Sequence, residues 1–145
     1  MKVKRAFNFY DVINTMVTKT PKFLLEGQKT DRLIFRKLEP DDFDSWLPFF
    51  EHPDSTKYLL KFANSNPLDQ CKEWFDRVFM RYNNGLGGFN VVIDKRDGTF
   101  IGMGGLQVQT VDDIPEMEVG YSIMPEQRGK GYATEAAKKM PGFCL

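Results

Sequence analysis

Few residues of this sequence suit a metal site, a disulfide framework or a membrane span. Its 145 residues include two cysteines, Cys71 and Cys144, and one histidine, His52, which stand too far apart to predict shared metal ligands or paired thiols. No apolar run approaches the roughly 20 residues of a membrane-spanning helix, and polar residues interrupt the stretch where a signal peptide would be apolar. The composition therefore predicts no metal, no membrane partner and a cytoplasmic location.

An excess of charge of one sign is also lacking, because 20 lysines and arginines balance 20 aspartates and glutamates. Nucleic-acid binding draws on a basic surface, so we expect no nucleic-acid partner. Core material is plentiful, with 13 phenylalanines and 41% hydrophobic residues, which is typical of one globular domain. We place that domain at residues 31–145 and interpret residues 1–30 as an N-terminal extension that docks or is poorly ordered.

Apolar residues at helical spacing predict two helices in the first half of the domain. The first follows Pro40, and Pro48 is expected to end or kink it. The second has a typical start, with Asn66 as the N-cap and Pro67 at the first helical position. Its apolar stripe runs to Tyr82 and places Cys71 on a buried face.

Three further segments have the β-branched and apolar content of strands. Glycines in the third of these favour a bulge or the close approach of another chain. We therefore expect an antiparallel meander. The expected elements are strands at residues 33–38, 89–93 and 100–108, a hairpin turn at residues 94–98 and a loop at residues 110–115.

Residues 117–139 predict a strand, a tight loop and a helix, and the rest of the chain is organised around them. Apolar and polar residues alternate over residues 118–123, which is the period of a half-buried strand. Pro125 ends this strand, since it has no backbone N–H to donate. Good helix formers begin near Tyr132 and run to Lys139.

The loop between strand and helix has the composition of an anion site. Gly129 and Gly131 allow the backbone to approach a ligand, and the free N–H groups of the following helix point into the same loop. Arg128 and Lys130 add positive charge, so a phosphate or diphosphate would be held there. A glycine-rich basic segment of this kind is also compatible with a simple turn.

Arg128-Gly129-Lys130-Gly131-Tyr132-Ala133 matches the acetyl-CoA signature R/Q-x-x-G-x-G/A of the GNAT acyl-CoA N-acyltransferases. The longer string from Glu118 to Ala136 resembles the branch that contains the ribosomal-protein N-terminal acetyltransferases. This resemblance implies an α/β (α+β) fold, in which helices flank a mixed, mainly antiparallel sheet. It also implies acetyl-CoA as co-substrate and a primary amine as acceptor.

The resemblance assigns roles to residues on both sides of the loop. Main-chain groups at the strand end would pair with the pantetheine arm, and the loop with the helix start would hold the diphosphate. Glu118 is the candidate base for the amine, Glu116 is the alternative if the register differs, and a structural role for Glu118 stays open. The implied cofactor-binding residues are Ser122, Ile123, Met124, Arg128, Gly129, Lys130, Gly131, Tyr132, Ala133 and Thr134.

The resemblance also implies that the C-terminal part of the domain is missing. Members of the family continue the signature helix and add a strand, a helix and a hairpin, whereas Pro141 and Gly142 break the helix here. That part normally supplies a tyrosine acid and covers a sheet edge, so we expect an exposed edge and a homodimer formed through it.

Two functions of different class therefore stay open. One is an N-acetyltransferase acting on a protein N-terminus or a small-molecule amine, and the other is an inactive acyl-CoA-binding or assembly module. The aromatic residues of the first helix region have two readings as well, since by resemblance they line the acceptor cleft and by periodicity they pack in the core. These residues are Trp46, Phe49, Phe50 and Tyr58.

Overall fold

The computed structural model describes residues 24–56 and 66–139, together with the backbone of residues 2–8. Along these residues the chain forms five strands and four α-helices. Short 3-10 turns, Pro40–Asp42 and Pro125–Gln127, follow β2 and β5. The elements are β1 (Lys2–Asn8), β2 (Leu33–Lys37), α1 (Phe43–Glu51), α2 (Pro53–Thr56), α3 (Pro67–Asn83), β3 (Gly87–Asp94), β4 (Phe100–Val111), β5 (Ile114–Ile123) and α4 (Tyr132–Lys139).

The five strands form one sheet in the order β1-β5-β4-β3-β2, and each neighbouring pair is antiparallel. Strands β2 to β5 are neighbours in the order of the chain, which is the expected meander. The register of β3 with β4 shifts beside Ile93, and the bulge lies next to Gly102, where glycines predicted one. The predicted α/β class, with an antiparallel sheet flanked by helices, is confirmed.

Strand β1 lies along the outer edge of β5, from the pair Lys2 and Tyr121 to the pair Asn8 and Glu116. The expectation of an open edge is therefore wrong along residues 116–121, because the N-terminal segment itself supplies the backbone partners there. The pairing stops before Ile123, so the end of β5 extends past β1. The rest of the N-terminal extension before residue 24 lies outside the described residues.

Two hydrophobic clusters lie on opposite faces of the sheet. Helices α1 and α3 cover one face, where Trp46, Phe49 and Phe50 are at most 3% exposed, so their reading as core is confirmed. Tyr58 lies outside the described residues. On the other face, Tyr132 and Ala136 of α4 pack against buried side chains of the four strands β2 to β5. The signature helix is therefore fixed to the sheet by apolar burial.

Two local predictions need correction. The expectation that Pro48 ends α1 is wrong, since Pro48 lies inside the helix and the buried aromatic residues on either side keep the helix against the sheet. The alternative, a kink at Pro48, stays a prediction. The expected loop at residues 110–115 is a two-residue turn, in which Asp112 and Asp113 have φ of 50° and 62°. Aspartate tolerates this left-handed conformation, so strand β5 begins at Ile114.

Candidate functional site

A cleft of about 600 Å³ lies where the end of β5 meets the start of α4. The predicted loop and both elements that flank it contribute to its wall. Helix α2 contributes a carboxylate, Asp54. The described lining residues are Asp54, Tyr121, Ser122, Ile123, Gln127, Arg128, Gly129, Gly131, Tyr132, Ala133 and Thr134.

The end of β5 presents main-chain groups of one residue to the open edge. The N–H of Met124 donates to the carbonyl of Ile101 on β4 at 2.9 Å. Because N–H and C=O groups alternate sides along an antiparallel strand, Ser122 also bonds toward β4 and Ile123 faces the opposite edge. Of the three residues expected to bind pantetheine, only Ile123 therefore directs its main chain to the edge of β5 that β1 leaves uncovered.

Ser122 is a lining residue of the cleft with a buried hydroxyl. Ser122 is 2% exposed, and its hydroxyl has no hydrogen-bond partner in the part of the chain that the structure describes. A buried hydroxyl without a partner carries a desolvation cost, which a ligand atom accepting or donating a hydrogen bond would relieve. Ser122 is thus a lining residue of the cleft, and its main chain bonds toward β4 rather than toward the open edge.

The glycine-rich loop places a row of backbone donors in the cleft. Gly129 and Gly131 have φ of 77° and 79°, in the left-handed region that favours glycine. Within the described ranges the backbone N–H groups of residues 129–134 have no acceptor. The first intrahelical bond of α4 runs from the N–H of Glu135 to the carbonyl of Gly131. The geometry is therefore that of an anion site at a helix N-terminus.

The two basic residues of the loop differ in what they contact. Arg128 donates from Nε to the Ile123 carbonyl at 3.2 Å and from Nη2 to the Ser55 hydroxyl at 3.1 Å, so it ties β5 to α2. Lys130 is exposed and donates from Nζ to the side chain of Gln127 at 3.1 Å. Both charges remain near the row of N–H groups, where they favour an anion.

Residues far away in sequence fix the loop and the helix start. The carboxylate of Glu135 accepts hydrogen bonds from the backbone N–H of Arg32 at 3.0 Å and its Nε at 2.7 Å, and from the hydroxyl of Thr30. Burial disfavours the charged form of Glu135, but these hydrogen bonds hold its pKa below the ordinary value. Sequence reasoning missed this contact, and the acidic residue at the start of α4 was its only visible signal.

A second contact fixes Tyr132, the first residue of α4. Its hydroxyl donates to the buried carboxylate of Asp94 at 3.0 Å. Arg96 also donates to Asp94 from its backbone N–H and its guanidinium, and these bonds hold the pKa of Asp94 well below its ordinary range. The predicted hairpin turn at residues 94–98 therefore holds the helix that follows the signature loop.

Glu118, the predicted base, lies on β5 four residues before Ser122 and on the same face of the sheet. At about 3.3 Å per residue the two are roughly 13 Å apart along the strand, and Glu118 is not among the lining residues of the cleft. Burial lowers the pKa of Arg81, and the negative charge of Glu118 acts against this by favouring the charged guanidinium. Glu116 lies two residues further from Ser122 along β5, opposite Gln109 of β4.

The described residues contain neither a cluster of metal ligands nor a membrane-spanning helix. Within residues 24–56 and 66–139, no three histidine, cysteine, aspartate or glutamate side chains form a group that could hold a metal ion. None of the helices in those two ranges is long and apolar enough to cross a membrane.

Comparison with known proteins gives three kinds of match. The profile of a family described as "Acetyltransferase (GNAT) domain" matches residues 32–144. "Uncharacterized N-acetyltransferase p20" of Bacillus licheniformis is 28% identical over 120 residues, which are 80% of this chain and 64% of that protein. "Uncharacterized protein YkkB" of Bacillus subtilis is 30% identical over 110 residues, 75% of this chain and 62% of that protein. The chain therefore spans a little under two thirds of these relatives.

A solved structure supports the fold. The acetyltransferase from Agrobacterium tumefaciens superposes with a TM-score of 0.60 at 23% sequence identity, over 77% of this chain and 63% of that one. At this level of identity the likeness concerns the arrangement of strands and helices.

Proposed function

The chain belongs to the GNAT acetyltransferase family, and on that premise we propose that it transfers an acetyl group from acetyl-CoA to a primary amine. The observation that carries the proposal is the cleft between β5 and α4, in which backbone N–H groups that have no acceptor among the described residues lie beside an open strand end. The first suits the diphosphate of coenzyme A, and the second suits its amide-containing pantetheine arm.

The diphosphate would be held at the N–H groups of residues 129–134. These groups and the dipole of α4 favour negative charge, and each hydrogen bond to a charged oxygen contributes about 1.5–3 kcal/mol. Gly129 and Gly131 have no Cβ, so phosphate oxygens can approach the backbone. The exposed amine of Lys130 adds a cation that is able to reach the bound anion.

The pantetheine arm would run along the open edge of β5 as an added strand does. A carbonyl of the arm would accept from the N–H of Ile123, whose own carbonyl already accepts from Arg128. Ser122, whose buried hydroxyl has no partner among the described residues, would line the cleft beside the arm. Strand β1 begins at Lys2, opposite Tyr121, and covers the edge of β5 from there back to Glu116, so the thioester would lie near the first residues of β1.

The reaction requires a neutral amine, because a protonated amine has no lone pair to attack the thioester carbonyl. A base accepts the proton, the new C–N bond forms, and the C–S bond breaks to release the coenzyme A thiolate. We propose Glu118 for this base, acting through water across the distance from the cleft, and Glu116 as the alternative. No metal takes part in this scheme.

For the acceptor, we propose a protein N-terminus or a small-molecule amine in the cytoplasm. The carboxylate of Asp54 lines the cleft and would attract a cationic amine before its deprotonation. A second candidate function is an acyl-CoA-binding module without turnover. The observation that favours it is the position of Glu118 outside the cleft wall.

The test is release of free thiol from acetyl-CoA in the presence of a panel of amines and N-terminal peptides. Amine-dependent release that falls at least about 100-fold in Glu118→Gln, but not in Glu116→Gln, supports transfer with Glu118 as base. The same fall in Glu116→Gln, with natural release in Glu118→Gln, would assign the base to Glu116. Binding of acetyl-CoA with no release for any acceptor would favour the module.

A further inference from the structure

We infer that Arg32, Thr30 and Glu135 form a brace that positions the phosphate-binding loop, so that Arg32 is a positioning residue for coenzyme A binding. The inference rests on the proposed function and deepens it. Thr30 and Arg32 precede β2, at the far edge of the sheet, and Glu135 lies in the first turn of α4. More than 100 residues separate the two halves of the brace in sequence.

The brace contacts the loop directly. Arg32 donates from Nη1 to the carbonyl oxygen of Lys130 at 3.0 Å, and its guanidinium lies 4.4 Å from the ring centroid of Tyr132. The same guanidinium donates from Nε to Glu135 at 2.7 Å. One planar group thus holds a loop carbonyl, the first residue of α4 and the carboxylate of its first turn, which fixes their relative positions.

Fixing the Lys130 carbonyl also fixes an anion donor. A trans peptide is planar, and its C=O and the N–H of the next residue point in opposite directions. Because the Lys130 oxygen points toward Arg32, the N–H of Gly131 points away from it, and Gly131 lines the cleft. Without the brace this peptide is free to rotate, since Gly131 accepts a wide range of φ.

Positioning and simple electrostatics predict opposite effects for one substitution. Glu135 carries a negative charge close to the proposed diphosphate site, so Glu135→Gln removes repulsion and would tighten coenzyme A binding if charge alone mattered. If the brace positions the loop, the same substitution replaces one of the two carboxylate oxygens by an NH2 group, which cannot accept from Arg32 or Thr30, and binding weakens. The sign of the change therefore separates the two accounts.

The experiment measures coenzyme A binding by calorimetry in the 145-residue chain and four variants. Glu135→Gln is expected to weaken binding about tenfold or more, as befits one charge-assisted hydrogen bond. The matched control is Glu73→Gln, which breaks the exposed ion pair with Arg77 on α3, far from the loop, and is expected to leave binding unchanged. Thermal unfolding of each variant checks that it is folded.

Thr30 provides a second pair of variants in case Glu135→Gln does not fold. Thr30→Ser keeps the hydroxyl that donates to Glu135, and Thr30→Val removes it at nearly the same volume. Weaker binding in Thr30→Val with natural binding in Thr30→Ser supports the brace. Equal binding in that pair, or equal or tighter binding in folded Glu135→Gln, overturns it. Failure of the folded natural chain to bind coenzyme A would instead overturn the proposed function.

Discussion

The substitution Gly102→Ala adds one methyl group where β4 and β5 lie closest to the cleft. A Cβ at residue 102 would lie 2.2 Å from the carbonyl oxygen of Ser122 and 2.9 Å from the Cα of Ile123. Both atoms belong to the backbone at the end of β5, so no side chain can rotate away to make room. The strand end itself must move by about 1 Å to restore an ordinary contact.

The cost follows from this collision. Gly102 lies outside the left-handed region, so alanine is not strained there and would by itself stabilise the chain by about 0.4–1 kcal/mol through the unfolded state. Overpacking in a rigid core costs about 1–3 kcal/mol. We expect a net loss of about 1–2 kcal/mol in the free energy of unfolding, or roughly 3–8 °C in Tm for a chain of this size.

Urea and thermal denaturation followed by circular dichroism measure this loss. The control is Gly27→Ala, whose φ of +81° strains alanine but whose Cβ meets nothing within 4 Å. Its cost is the strain alone, about 1–2 kcal/mol, with no effect on acetyl-CoA binding. Gly102→Ala should instead weaken binding, because it displaces Ile123. Natural stability and natural binding in Gly102→Ala would refute the reasoning.

Three further predictions concern buried groups and pH. Tyr82→Phe removes a hydroxyl that donates to the Phe89 carbonyl and accepts from the Leu38 N–H. The free energy of unfolding in urea should therefore fall by about 1–3 kcal/mol, and an unchanged midpoint would contradict this. Burial raises the pKa of the Cys71 thiol to about 12, so in a Cys144→Ser chain a thiol reagent at pH 8 should modify Cys71 only on unfolding, and rapid modification of that folded variant would contradict the placement of Cys71. Folding lowers the pKa of Glu135, so the ionised carboxylate stabilises the fold above its ordinary pKa of about 4.5, and this stabilisation is lost as pH falls through the pKa of the folded state. The free energy of unfolding should therefore fall less steeply with acid in Glu135→Gln than in the natural chain. Identical pH dependence in the two chains would contradict the shift.

Much of the fold could be predicted because local chemistry and final structure agree. The helix start at Asn66 is an example, since its side chain accepts a hydrogen bond from the N–H of Asp69 as the cap pattern indicated. The signature loop is another, because glycine adopts the left-handed φ of residues 129 and 131 most readily. Periodicity also separated the buried face of α3 from its exposed one.

The site could be predicted only in part, because several of its properties depend on register and on distant residues. The alternation that assigns Met124 to β4 and Ile123 to the open edge changes with a slip of one residue, which composition does not reveal. The contact of Arg32 with Glu135 joins residues at opposite ends of the domain, and no local pattern indicates it. The expectation that Pro48 ends α1 was wrong for a similar reason, since tertiary burial outweighed a local preference.

The central claim is that the loop at residues 129–134 binds the diphosphate of acetyl-CoA, and calorimetry on two aspartate variants tests it most directly. Gly129→Asp places a carboxylate at the row of N–H groups, whereas Gly27→Asp imposes a similar backbone conformation and the same charge in the turn before β2, where a Cβ meets nothing within 4 Å. The account predicts binding by the natural chain and by Gly27→Asp, with a loss of at least about 100-fold in Gly129→Asp. Equal binding by the two variants, or none by the folded natural chain, would contradict it.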